Sequence, residues 1–324
     1  MYRLRNYLLC VLISIILVFV FAAAEASVFA KYKAADPQTY RSLIEEKNIA
    51  ADALKVISDK FESMENATGI PAAVYTDPLT EEKIKSIMDG CISDAFDYIN
   101  GKSEDFEYSD FTEELSPMNA SIEKYLIDYA DSEGYVKDDA FNKKVVSVQK
   151  NARDIVLENC DVFQLKKIEK AGYLKYAGKT VKYIDPAVIA SLAAAGFFVL
   201  LLVIANIKKI TNVFYWLSVS LGITSVFYLA AGIFLKVTGY FDRFAIKATH
   251  IFRAMTGTMY SFTDKLIFIN IVVFAAGLVF MMIFAVAAKE KKVQVAVADV
   301  PEEKKESAET DTADKTDEAS DKKY

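Results

Sequence analysis

Four charge-free apolar runs decide what this chain can be. They cover Leu8 to Ala24, Ala187 to Ala205, Val213 to Leu235 and Leu266 to Ala288, and the first continues past Glu25 to Ala30. The hydrocarbon layer of a bilayer is about 30 Å thick and takes about 20 helical residues to cross. Lipid offers the backbone no hydrogen-bond partner, so runs of this kind must be helices. The expected fold class is therefore an all-α membrane protein with four transmembrane helices. Hydrophobic residues make up 53% of the chain and charged residues 25%. That mixture predicts apolar and polar blocks in alternation rather than one water-soluble core.

The flanking charges set an expected direction. Arg3 and Arg5 precede the first run, Lys208 and Lys209 separate the second from the third, and Lys289, Lys291 and Lys292 follow the fourth. With four spans, all three basic clusters fall on one side, as the positive-inside rule asks. The chain is thus expected in the cell membrane with both termini cytoplasmic and residues 31–185 outside. Tyr7, Tyr215 and Trp216 stand at inner ends, and Tyr183 and Tyr240 at outer ends, as an interfacial belt requires. Residues 1–30 read as a signal-anchor helix. Ala22-Ala23-Ala24 and Ala24-Glu25-Ala26 also resemble small-x-small cleavage sites, which would remove the segment after Ala24 or Ala26. The apolar core exceeds the about 7–15 residues usual for a cleaved signal, which favours the anchor.

Residues 31–185 are patterned as helices throughout, and an extracytoplasmic helical bundle between the first and second spans is the economical arrangement. Asp36-Pro37 opens the first helix, whose apolar positions run from Tyr40 to Met64, and Thr68-Gly69 with Pro71 closes it. Thr80-Glu81-Glu82 opens a second, with Ile84, Ile87, Met88, Cys91, Ala95 and Tyr98 on one face, and Asn100-Gly101 ends it. Ser116-Pro117 begins a third, carrying Met118, Ile122, Tyr125, Leu126 and Tyr129, and Gly134 stops it. Asp138-Asp139 caps a fourth, with Phe141, Val145, Val148, Ala152, Ile155, Val156 and Cys160. A last stretch from Phe163 to about Tyr183 leads to the membrane at Asp185-Pro186. Charge is split along this domain. Residues 104–139 hold 12 acidic side chains against Lys124 and Lys137, and residues 143–182 hold 10 basic ones against four acidic. Two oppositely charged neighbours packing together is the expected reading.

The outer loop 236–265 reads as a basic amphipathic helix. Phe241, Phe244, Ala248, Ile251, Phe252, Met255 and Met259 form its stripe, with Arg243, Lys247, His250 and Arg253 on the polar side. It fits the bilayer surface and the base of the bundle equally well. His250 is expected to be an interfacial polar group whose intrinsic pKa permits pH sensing. Residues 289–324 form a mixed-charge cytoplasmic tail expected to be disordered.

Little in the sequence points to chemistry. One histidine makes His-rich metal sites and most Ser-His or Cys-His catalysis unavailable within a single chain. Phosphate-binding, dinucleotide, zincin and nucleophile-elbow motifs are missing. The stretch Asp128 to Ala140 looks like a calcium loop until Gly134 is set at position six. Tyr129 and Ala140 then occupy positions that need oxygen donors, so it reads as a helix–turn–helix corner. Cys91 and Cys160 sit on apolar helix faces and suit either a disulfide or, preferably, two buried thiols. Asn66-Ala67-Thr68 and Asn119-Ala120-Ser121 match the glycosylation sequon, which matters only in a eukaryotic secretory pathway. Ala187, Ser191 and Ala195, and Ser218 and Gly222, are small residues at four-residue steps that let helices approach. No catalytic, cofactor-binding or metal-ligating residue is assigned. A net charge of -6 gives no argument for nucleic acid.

The order of anchor, helical exported domain, three further spans and charged tail resembles multi-pass membrane proteins of low-GC Gram-positive bacteria. Thr68-Gly69-Ile70-Pro71, Val74 and Thr80-Glu81-Glu82 carry that resemblance. It implies architecture and compartment, and no established activity. The span order is also similar to FtsX/MacB-type permeases, which pair with a cytoplasmic ATPase. Those need a substantial inner segment between spans two and three, where this chain has only Asn206 to Asn212. The leading expectation is a non-enzymatic envelope protein whose bundle binds a protein, the cell wall or a small ligand. Its expected partners are the bilayer and another membrane or envelope protein, or a second copy of itself. A transport-associated subunit needing a separate ATPase, and a sensor needing a separate signalling partner, are the alternatives.

Overall fold

A computed structural model of the chain describes residues 2–298, and the side chains of residues 6–289. Every regular element among them is helical: α1 Tyr2–Phe29, α2 Pro37–Glu46, α3 Ile49–Thr68, α4 Ala72–Thr76, α5 Glu81–Ile99, α6 Thr112–Glu133, α7 Asp139–Cys160, α8 Leu165–Lys170, α9 Tyr173–Ala205, α10 Thr211–Val237 and α11 Thr249–Ala298. A π-helical turn, Ala30–Ala34, follows α1. Four helical segments, containing the four apolar runs, are long and apolar enough to cross a membrane. The described residues divide into two compact units, 2–19, 196–225 and 272–298 in one, and 20–195 and 226–271 in the other.

The first unit is held by polar contacts between apolar helices. The Asn206 amide donates to the Leu202 carbonyl at 2.9 Å and to Cys10 Sγ at 3.2 Å. Ser220 Oγ donates to the Ser14 carbonyl, and Thr224 Oγ1 to that of Val18, both at 3.2 Å. The small-residue step Ser218–Gly222 does what its spacing suggests. Gly277 of α11 lies so close that a β-carbon there would sit 3.4 Å from the Ser218 carbonyl.

The second unit contains the bundle. α3 packs on α4, α5 and α7, while α5 also meets α2, α6 and α7. Ile49, Ala53, Ile57 and Phe61 of α3, Ile84, Ile87 and Met88 of α5, Leu115, Met118 and Ile122 of α6, and Val156 of α7 fill one core. The expected N-caps are in place. Asp36 accepts from the Gln38 N–H, Thr80 from Lys83 and Asp138 from Phe141. Gly69 and Gly134 close α3 and α6 in the left-handed conformation, where a β-carbon would be strained.

Several boundaries differ from those read in the sequence. The first expected helix is two, broken at Asn48 (φ 51°), a residue type that tolerates left-handed geometry. The third begins at Thr112, and Pro117 lies inside it, removing one bond to the Glu113 carbonyl. Its entry residue Phe111 is left-handed at φ 46°, a strained choice for a bulky side chain. The Phe111 ring lies against Gly90, where a β-carbon would fall 2.3 Å from it. Asp185-Pro186 does not break the chain, because α9 continues through it. The tail expected to be disordered from Lys289 is helical as far as Ala298, and the rest of it lies outside the described residues.

The loop 236–265 shows the largest change. Only a short 3-10 turn, Tyr240–Arg243, and an irregular stretch precede Thr249, where α11 begins and runs without interruption into the fourth apolar run. No proline or strong stop signal separates the two, so the helix propagates. Its buried face is His250, Ala254 and Thr258 rather than the phenylalanine and methionine stripe. Ala254 belongs to the bundle core, and Arg253 pairs with Asp52 of α3. Of the two places open to this segment, it takes the one on the bundle.

Candidate functional site

A cleft lined by aromatic side chains lies where the C-terminal ends of α3 and α6 meet α7, with a volume of about 710 Å³. Its floor is Phe61 stacked on Tyr75, with ring centroids 4.4 Å apart and planes 4° from parallel. Its rim is Tyr129 and Tyr135, 49% and 61% exposed and 6.3 Å apart. Tyr125 Oη donates to the Gly69 carbonyl at 3.0 Å, tying α6 to the turn after α3. The Thr68-Gly69-Ile70 segment lines the same cleft. So does the corner that mimics a calcium loop. There Lys137 pairs with Asp131 at 2.6 Å, and the turn is the expected helix–turn–helix. Lys144 and Asn151 of α7 add an ammonium and an amide to the wall. Burial raises the Tyr75 phenol above its ordinary value. The arrangement suits binding: two exposed tyrosine rings at the rim, one positive group, and room for a ligand within the range of about 300–1,000 Å³.

The sequence names none of these as a site. Tyr125 and Tyr129 read there as a helix face, and Phe61 and Phe141 as core. The usable signal is the density of tyrosines around Gly134, which a purely buried helix corner does not need.

His250 is corrected from interfacial to fully buried. Neither ring nitrogen has a hydrogen-bond partner among the described residues. Burial is the larger effect and pushes its pKa down, while the Asp52 charge pulls it up. The unfolded chain binds the proton near about 6.5, and the folded chain only at lower pH. Its stability contribution is thus fully present above about 6.5 and is lost as pH falls through the folded value, with a slope of at most about 1.4 kcal/mol per pH unit. Asp161 and Asp89 oppose this. Burial raises both carboxyls, and their contribution fades as pH rises through the folded values. Thermal unfolding of the full chain in mild detergent at pH 7.5 and 5.5 isolates the histidine through His250→Leu. The wild type should lose more stability on acidification than the variant, and parallel losses would refute the assignment.

Cys10, Cys91 and Cys160 are all free and buried. Burial drives the Cys91 and Cys160 thiols well above their usual range, so both behave as inert small hydrophobes. Arg153 of α7 pairs with Asp110 at 2.9 Å, a bridge between the basic and acidic stretches. Within the apolar helices, the buried Asn270 amide donates to the Glu25 carboxylate and to the Leu266 carbonyl. Comparison with protein-family models, curated proteins and solved structures finds no match to this chain.

Proposed function

We propose that this chain is a multi-pass membrane protein that presents its helical bundle, residues 31–185, outside the cytoplasm as a binding module rather than as an enzyme. The observation that carries the reading is the aromatic cleft, with exposed Tyr129 and Tyr135 on its rim and Lys144 in its wall. Flat rings and one ammonium suit a partner with sugar or ring faces and a carboxylate, such as a wall polymer or a protein segment. The basic residues Arg3, Arg5, Lys208, Lys209 and Lys289 support the orientation.

All three native thiols are buried, so a cysteine introduced at the exposed Ser132 is the one that reacts. Ser132→Cys should take a membrane-impermeant maleimide in intact cells, and labelling only after permeabilisation would reverse the orientation. A photoreactive phenylalanine analogue at Tyr135 should give a discrete cross-linked species in intact cells that Tyr129→Ala depletes several-fold. Identical smears with and without Tyr129 would remove the cleft as the binding surface.

One observation favours a second reading, a transport-associated subunit needing a separate ATPase. Glu25 is an ionisable group among apolar helices, held by Asn270, and such groups are costly in lipid and commonly functional. That reading requires an ATPase to copurify with the chain in mild detergent. Recovery of the chain without one excludes it.

A further inference from the structure

A second cavity, of about 380 Å³, lies at the other end of the bundle, where the π-helical turn, α2, α5, α8, α9 and α11 come together. We propose that it seats one acyl chain of an anionic phospholipid. The inference rests on the reading that the apolar helices cross a bilayer.

Position is the first argument. Ala30, the last residue of the first apolar run, and Ala34, four residues beyond it, line the cavity. Ile184 lines it three residues before the second run, and Phe262 four residues before the fourth. At a rise of about 1.5 Å per residue, Ala34, Ile184 and Phe262 stand about 5 Å beyond the apolar runs. A cavity so placed borders the hydrocarbon layer.

Its lining is the second argument. Ile92, Phe96, Ile99, Val181 and Met259 typify it, and polar side chains are few. Each of these polar groups is already engaged. Tyr40 Oη donates to the Ala34 carbonyl at 2.9 Å, Thr180 Oγ1 to Tyr176 at 2.9 Å, and Thr258 Oγ1 to Ala254 at 2.8 Å. Burial pushes the Tyr40 phenol up to about 12, so no charge develops there. A water or a peptide needs two or more free polar partners, and these walls supply none from their side chains. A methylene chain needs only apolar contact. Thr180 and Met259 are exposed, so the cavity reaches the surface along α9 and α11.

The third argument gives the headgroup its sign. On α9, whose Leu174, Ala177 and Val181 face the cavity, Lys175, Lys179 and Lys182 are exposed within the same three turns. Tyr173, Tyr176 and Tyr183 are exposed beside them. Tyrosines with lysines at the end of an apolar run are the signature of the headgroup layer, and the lysines select a negative head.

The test uses the full-length chain in phosphatidylglycerol vesicles containing a trace of phosphatidylglycerol with a diazirine near the end of one acyl chain. After irradiation, labelled residues are mapped by mass spectrometry. Adducts are expected on Phe96, Ile99 or Met259 in addition to the spans. Adducts confined to 187–205, 213–235 and 266–288 overturn the proposal and leave the membrane reading standing. No adducts on the spans overturn the membrane reading itself. Ala177→Trp, which fills the cavity from α9, should cut labelling of Phe96 and Ile99 at least about fivefold with span labelling unchanged; equal labelling overturns the assignment. The same diazirine chain on phosphatidylcholine, in phosphatidylcholine vesicles, should label Phe96 and Ile99 several-fold less. Equal yield there overturns the choice of an anionic head.

Discussion

Ala254→Asp should destabilise the bundle by about 4 kcal/mol or more, a large part of the about 5–15 kcal/mol that holds a typical domain together. The residue has no accessible surface and sits in the core of the bundle, although it belongs to the helix that continues into the fourth apolar run. A carboxylate placed there is buried without a designed partner, and either its charge or its protonation must be forced. Ala245→Asp supplies the contrast, since Ala245 lies in the irregular stretch before α11 and is exposed. Its effect should stay within about 0.5 kcal/mol. Thermal unfolding of the two variants in mild detergent decides the matter. Similar melting temperatures would mean that the first turns of α11 lie on a surface after all.

Phe61→Ala should cost about 3–5 kcal/mol, the usual range for removing a buried phenylalanine. Its ring is 1% exposed and lies flat on Tyr75, so truncation removes both core contacts and the stacked pair. Tyr129→Ala, at the exposed rim of the same cleft, should change stability by no more than about 0.5 kcal/mol. Denaturant unfolding of the full chain measures both. A small loss at Phe61 would show that the floor of the cleft is a loose surface rather than the top of the core.

The sequence is informative wherever a local rule governs. The four apolar runs lie within four long helices, as the absence of backbone partners in lipid demands. Asp36, Thr80 and Asp138 cap the helices that they precede, and Gly69 and Gly134 close theirs, because each acts through its own backbone neighbours. Where packing decides, the pattern misleads. Asn48 breaks a helix whose apolar spacing runs on unbroken, and Phe111 starts one from a conformation its own chemistry disfavours. His250 follows a polar pattern yet is buried, since the face of α11 that meets the bundle is set by α2 and α3 rather than by its own stripe. The aromatic cleft was the least legible part. Its walls come from α3, the turn after it, α4, α6 and α7, and no single segment carries more than a share of it. Its Tyr135 is a turn residue, which periodicity does not read at all.

The fit of Phe111 against Gly90 has a consequence for how such a chain can change over time. A side chain gained at position 90 has no room while a phenylalanine ring stays at 111, and the ring is held there by an uncommon backbone conformation. A smaller residue at 111 removes that clash and opens the way for alanine at 90. Substitutions at these two positions, 21 residues apart, should therefore be coupled rather than additive.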